Sequence, residues 1–290
     1  MKFDNSILVV NARSPRKGSA LWLEVLKGIL FLMFSSMIAD TSFVIVIEEI
    51  LAITDEVTIS FLYLYWQIVV VILCALVARF IQHRTLGFKA SNAVRQYLCG
   101  CAIGAGMITA VVFAGIMTKA FSFQGLSPWL DGRLILLFLG GYVIQGMAEE
   151  VLCRGYILLT IARKNKVWSA VVFSSLIFAF MHSNNTGFGI IPVINLFLFA
   201  VFESIYFLKT ENIWGISAIH TTWNFVQGCV FGFGVSGEAL MPSILRFSCS
   251  DIVILSGGQF GPEGGLVVTF VMAVSTVLLL CVKKQTPSGL

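Results

Sequence analysis

The sequence predicts an all-α fold, a polytopic membrane helix bundle with about eight transmembrane helices, on three observations. Hydrophobic residues make up 58% of the 290 and charged residues only 12%, against about 25% charge in water-soluble domains. The mean hydropathy is +0.92. The apolar residues come in unbroken runs rather than in the alternation of a membrane β-barrel.

Runs of about 17 to 25 apolar residues are long enough to cross a bilayer. They fall at roughly 25–47, 59–80, 97–117, 134–161, 167–182, 190–208, 214–231 and 266–282, the fifth being the shortest. Ahead of them, Lys2, Arg13, Arg16 and Lys17 resemble the charged region of a signal peptide. The run behind them lacks a small-residue cleavage site and is long enough to span, so a retained helix is expected, with 1–24 as a cytoplasmic segment. The chain reads as a single integral membrane domain, 1–290, without a soluble domain or internal repeat.

The formal charge of +4 is too small to argue for nucleic acid as a partner, and its meaning is topological. Basic residues collect in cytoplasmic segments. With the N-terminus inside, only Lys119, Arg133 and Arg246 of the 19 Lys and Arg fall outside, so both termini are expected in the cytoplasm. Glu48, Glu49, Asp55 and Glu56 crowd the first outer loop. The compact loops point to a multi-pass protein of a bacterial plasma membrane, with the lipid bilayer as its first partner. The seven cysteines show no Cys-x-x-Cys and read as reduced packing residues.

Ionisable groups inside such a sequence are costly and mark function. Glu149 and Glu150 are adjacent, with Arg154 four positions on. On a helix Glu150 and Arg154 share a face and pair, while Glu149 points about 100° away, free to act on something else. Phe178 with His182, and His220 with Asn224, repeat the four-residue spacing. Two carboxylates, an arginine, two histidines and an amide in a bundle core form a hydrolytic inventory. A carboxylate in an apolar pocket can take a proton from water, and a histidine with an amide can donate to an oxyanion. Each group also has a plainer reading: Arg154 with Glu150 as a structural pair, His182 as an interfacial residue, Asn224 as interhelical glue. His83, beside Arg84, reads as solvated, and Asp40 and Glu203 as packing or pathway residues.

In an antiparallel hairpin, Glu149 and His182 both lie roughly 21 to 24 Å from the basic turn at 163–166, hence at one level. His220 is only about 14 Å past Glu211, so a protruding fourth and fifth helix pair and a site in the cytoplasmic half of the membrane are expected.

Glu149-Glu150-x-x-x-Arg154, Phe178-x-x-x-His182 and His220-x-x-x-Asn224, in that order in successive helices, resemble the three motifs of the CAAX protease and bacteriocin-processing (CPBP) family, the Abi family of intramembrane proteases. The similarity covers about 134–231, the expected catalytic core. Arg84-Thr-Leu-Gly-Phe88 and Gly257-Gly-Gln-Phe-Gly-Pro-Glu263-Gly resemble loops that flank this core in the family. The resemblance implies a glutamate-type CAAX endopeptidase fold. Glu149 would be the general base on a water positioned by His182, His220 and Asn224 the oxyanion site, and Glu150 and Arg154 the support of the first glutamate. The family has also been called metalloprotease, and Glu149, His182 and His220 would then be the zinc ligands. The spacing neither requires nor excludes zinc. No cofactor is favoured, because Asn224 suits oxyanion donation better than ligation.

The expected activity is hydrolysis of a peptide bond in a membrane-associated or leader-type peptide near the cytoplasmic face. The alternative is a non-enzymatic membrane scaffold or bacteriocin-immunity protein that holds a partner with the same polar core. A proton-relaying transporter is disfavoured by the lack of an inverted repeat.

Overall fold

The computed structural model describes residues 6, 8–9, 20–83, 85–238 and 242–282. Lys2, Arg13, Arg16, Lys17, Arg84, Lys283, Lys284 and most of the expected cytoplasmic segment 1–24 lie outside the described residues.

Every apolar run becomes a helix. In chain order these are α1 (Leu21–Ile50), α2 (Glu56–Ile81), α3 (Ala93–Met117), α4 (Gly132–Ala162), α5 (Val167–Met181), α6 (Ile190–Thr210), α7 (Ile213–Phe225, continued by a wider turn at Val226–Val230) and α8 (Leu266–Cys281). Among the described residues α1 to α4 and α6 are long and apolar enough to cross a membrane. The other three fall short of a full span. At a rise of about 1.5 Å per residue, α5 with 15 residues and α8 with 16 cover less than the hydrocarbon core of about 30 Å. α7 is interrupted by His220, Thr221, Thr222 and Asn224, whose side chains the interior must satisfy.

Side-chain caps set several helix starts. Asp55 accepts from the Thr58 N–H at 2.8 Å, Asp131 from Arg133 and Leu134 at 2.8 and 3.1 Å, and Asn212 from Trp214 at 2.9 Å. The bonds from Thr58 hold the Asp55 carboxyl below the usual carboxylate range. Between α6 and α7 the chain reverses through Glu211 in the left-handed region, φ 54°.

The centre of the bundle is α7, buried over nearly its whole length and packed against α3, α4 and α6. Small residues allow the close approach. A Cβ at Gly100 of α3 would sit 2.8 Å from the Ala218 Cβ, and one at Gly146 of α4 would sit 2.8 Å from the Thr221 hydroxyl. Directly after Glu149 and Glu150, α4 widens into a π-helical stretch at Val151–Leu158, an irregularity found often beside functional groups.

The two ends of the bundle differ in charge. At one, Lys27 and Lys164 face Glu24 at 2.8 and 3.8 Å, Lys89 pairs with Glu211 at 3.1 Å, and Lys209 reaches the last carbonyls of α8. At the other lie the acidic α1–α2 turn, the α5–α6 loop and the long α7–α8 loop. A two-stranded antiparallel sheet also sits there, β1 (Phe121–Leu126) with β2 (Leu245–Cys249), Phe123 opposite Phe247. The helical reading did not anticipate this sheet. Its alternation of Phe with Ser and Gln is short, and the pairing spans more than a hundred residues. Bonds from Asn185 Nδ2 to the Ser236 carbonyl (2.7 Å) and from the Gly237 N–H to the Phe260 carbonyl (3.0 Å) tie the loops of this end together.

Candidate active site

The three four-residue spacings are brought to one place. α4 presents Glu149 and Glu150 on different faces, and each finds its own surroundings. Glu150 is fully buried, and its Oε1 accepts from Arg154 Nη1 and from His220 Nδ1, each at 2.8 Å. A carboxylate only accepts, so Nδ1 carries the proton. The other ring nitrogen, Nε2, then faces Glu149 Oε2 at 3.8 Å.

Arg154, 1% exposed, lays its guanidinium 4.7 Å from the centre of the Phe178 ring, within reach of a cation–π attraction. The same ring meets His220 edge-on at 5.9 Å and lies 5.1 Å from His182. Phe178 is thus the apolar hub that spaces the arginine from both histidines, which gives the Phe-x-x-x-His pattern a physical reason. His182 caps α5 and donates from Nδ1 to the Phe178 carbonyl at 3.0 Å. A carbonyl cannot donate, so Nε2 of His182 is left as an acceptor.

Glu149 occupies the remaining position. Its Oε1 accepts a short bond from Gln145 Nε2, and its Oε2 accepts no hydrogen bond among the described residues. Gln145 in turn accepts at Oε1 from Asn224 Nδ2, 3.1 Å away. The amide of Asn224 is therefore engaged by Gln145, and the two amides link Glu149 to α7. Sequence reading did not single out Gln145, although it precedes Glu149 by the same four residues that define the other pairs.

These groups line a cavity of about 860 Å³, within the usual range for a ligand cleft. Glu149, His182, His220, Asn224 and Gln145 form part of it, and Glu150 and Arg154 lie behind it. The wall opposite α4 comes from α1 and α2, clasped by Tyr63 to Asp40 (2.8 Å) and Trp66 to Ser42 (2.9 Å). Asp40 is thus a cavity residue. Glu203 is not: it is fully buried and lies electrostatically close to Glu150 and Arg154. Neither of its oxygens is hydrogen-bonded among the described residues.

The α7–α8 loop contributes Glu263. Its Oε1 accepts from Trp223 Nε1 at 2.8 Å, and its Oε2 from the Ser236 N–H and hydroxyl at 2.6 and 2.7 Å. It pins the loop carrying Ser236 and Glu238, both cavity residues, to the helix that carries His220. Sequence reading noted the loop but gave Glu263 no role.

Glu149 and His182 share one cavity, as expected from their equal distance to the basic turn. The lining residues run from the site toward Glu48, Asn184, Ser236 and Glu238 at the acidic end, not toward the basic end. Residue spacing sets the level of a group, whereas packing decides which end is closed. Among the described residues no three His, Cys, Asp or Glu side chains come together in a group that could hold a metal. The alternative zinc set of Glu149, His182 and His220 is not assembled as such a group.

No curated protein and no solved structure is significantly similar to this chain. Residues 131–226 match the family described as type II CAAX prenyl endopeptidase Rce1-like. That third of the chain carries Glu149, Glu150, Arg154, His182, His220 and Asn224, and it is similar to the Rce1-like domain of the CAAX protease and bacteriocin-processing family.

Proposed function

We propose that the chain is an intramembrane endopeptidase that hydrolyses a peptide bond in a membrane-associated or leader-type peptide, without a cofactor. Glu149 is the general base. Its side chain lines the cavity, and its Oε2, which accepts no hydrogen bond among the described residues, takes a proton from the attacking water, held also by Nε2 of His182. The water oxygen adds to the carbonyl carbon, and the negative charge moves to the carbonyl oxygen. His220 from Nε2, when that nitrogen is protonated, and Asn224 from its amide donate to this oxyanion. As the C–N bond breaks, Glu149 returns the proton to the leaving amine.

Glu150 and Arg154 are positioning residues. Their pair is buried, and its contact with Nδ1 fixes which nitrogen of His220 faces the substrate. Asn224 serves the oxyanion only after it exchanges Gln145 for the substrate, so Gln145 holds the donor in place until then. The observation that carries the reading is the contrast between the adjacent carboxylates: Glu150 lies outside the cavity and accepts from both Arg154 and His220 at Oε1, whereas Glu149 lines the cavity and meets no arginine or lysine there among the described residues.

Purified protein in liposomes tests the proposal with a panel of quenched-fluorescent peptides, prenylated and leader-type among them, with and without chelator. Cleavage by wild type and none by Glu149→Gln is expected, with no effect of chelator. Loss on chelation and recovery with zinc would overturn the metal-free mechanism. Full cellular function of Glu149→Gln without cleavage of any peptide would favour the scaffold alternative.

A further inference from the structure

Among the described residues the cavity is lined by Asp40, Glu48, Glu149, Glu238 and Glu263, and by no lysine or arginine. These carboxyls are not equivalent. Glu263 is saturated by Trp223 and Ser236, and Asp40 holds the Tyr63 hydroxyl. Glu48 and Glu238 are exposed and form no ion pair among the described residues. They stand at the end where the α1–α2 turn and the α7–α8 loop meet the cavity, and the catalytic cluster lies at its floor. Leu32, Val44, Ile59 and Leu64 add apolar wall to the cavity. A cleft lined by one sign of charge between low-dielectric walls concentrates the opposite charge.

The ends of the bundle say from which side the occupant comes. The basic residues Lys27, Lys89, Lys164 and Lys209 gather at the end opposite to Glu48 and Glu238. Basic residues flanking membrane helices stay on the cytoplasmic side.

We propose that the cavity takes a cationic peptide segment, with Lys or Arg beside the bond to be cut, and that this segment enters from the face opposite the cytoplasm, past Glu48 and Glu238. This rests on the endopeptidase reading for its chemistry, and on the cavity alone for its charge and sidedness. The free carboxyls at the mouth pair with the basic side chains, and the apolar walls hold the residues between. An acidic peptide of the same length meets like charge at both levels and is excluded.

Two fluorescent peptides of one apolar sequence, flanked either by lysines or by glutamates, provide the probe. Their binding to the wild-type chain is measured by anisotropy in detergent, and their cleavage in parallel. The lysine peptide should bind about tenfold tighter or more, and the preference should shrink in Glu48→Gln/Glu238→Gln and in high salt. In sealed vesicles the membrane-impermeant lysine peptide should bind to right-side-out membranes and not to inside-out ones. Equal binding of both peptides, or a preference for the acidic one, overturns the charge inference, and binding confined to inside-out vesicles overturns the sidedness. Because binding is read separately, absence of cleavage with the expected binding would count against the hydrolytic reading alone.

Discussion

His220 Nδ1 meets Glu150 Oε1 at 2.8 Å while its Nε2 stands 3.8 Å from Glu149 Oε2. One imidazole thus touches both members of the glutamate pair, and the two carboxylates act on it from opposite sides. Substitutions at the two glutamates should therefore fail differently. Glu149→Gln keeps volume, removes the base, and is expected to lower kcat by about 10²–10⁴ while the thermal unfolding temperature holds. Glu150→Gln weakens the bond to Arg154 inside the buried core, so both unfolding temperature and activity should fall. Differential scanning fluorimetry beside the peptide assay separates the two, and equal melting losses would show that Glu149 is structural.

Gln145 provides a second test, because it bridges Glu149 and Asn224. Gln145→Leu fills the same space and breaks both bonds. Asn224 would then be held less well toward the cavity, and a fall in kcat of roughly tenfold is expected with little change in KM, the pattern of an interaction made in the transition state. A change confined to KM would place Gln145 in substrate binding instead.

How much of this was legible follows from range. Glu150 with Arg154 and His220 with Asn224 repeat at helical spacing, so short-range geometry alone put each pair on one face. The same rule reached Gln145 only in principle, since a glutamine four residues before Glu149 carries no charge to mark it. Asp40 and Glu203 looked alike as isolated intramembrane carboxylates, yet the fold sends one to the cavity wall and the other behind Arg154. That difference depends on how α1 and α6 pack, which periodicity does not encode. The β1–β2 pairing and the hold of Glu263 on Trp223 are long-range in the same sense.

Glu263 leads to a third expectation. Its two oxygens accept from three donors, two of them on Ser236. Glu263→Ala would leave the buried Trp223 N–H without a partner, at a cost of about 1–3 kcal/mol, and would free the loop that bears Glu238. The unfolding temperature should drop, and limited proteolysis should cut first within 231–238. Unchanged proteolysis would show that the bonds of Asn185 and Gly237 are enough to hold this loop.

The fourth expectation concerns the polar layer behind the cavity, where Arg154 bonds Glu150 and no hydrogen bond reaches Glu203 among the described residues. Arg154→Met leaves the buried Glu150 carboxylate without its cation, and breaking a buried pair on one side costs about 3–5 kcal/mol. Glu203→Leu removes a carboxyl that has no hydrogen-bond partner among the described residues. An apolar side chain of similar size should therefore be neutral or stabilising there. The prediction is an ordering: Glu203→Leu melts at or above wild type, and Arg154→Met well below it. The reverse ordering in thermal unfolding would mean that Glu203, rather than Glu150, is the carboxyl that keeps the arginine in the core, and the route by which Arg154 orients His220 would have to run through α6.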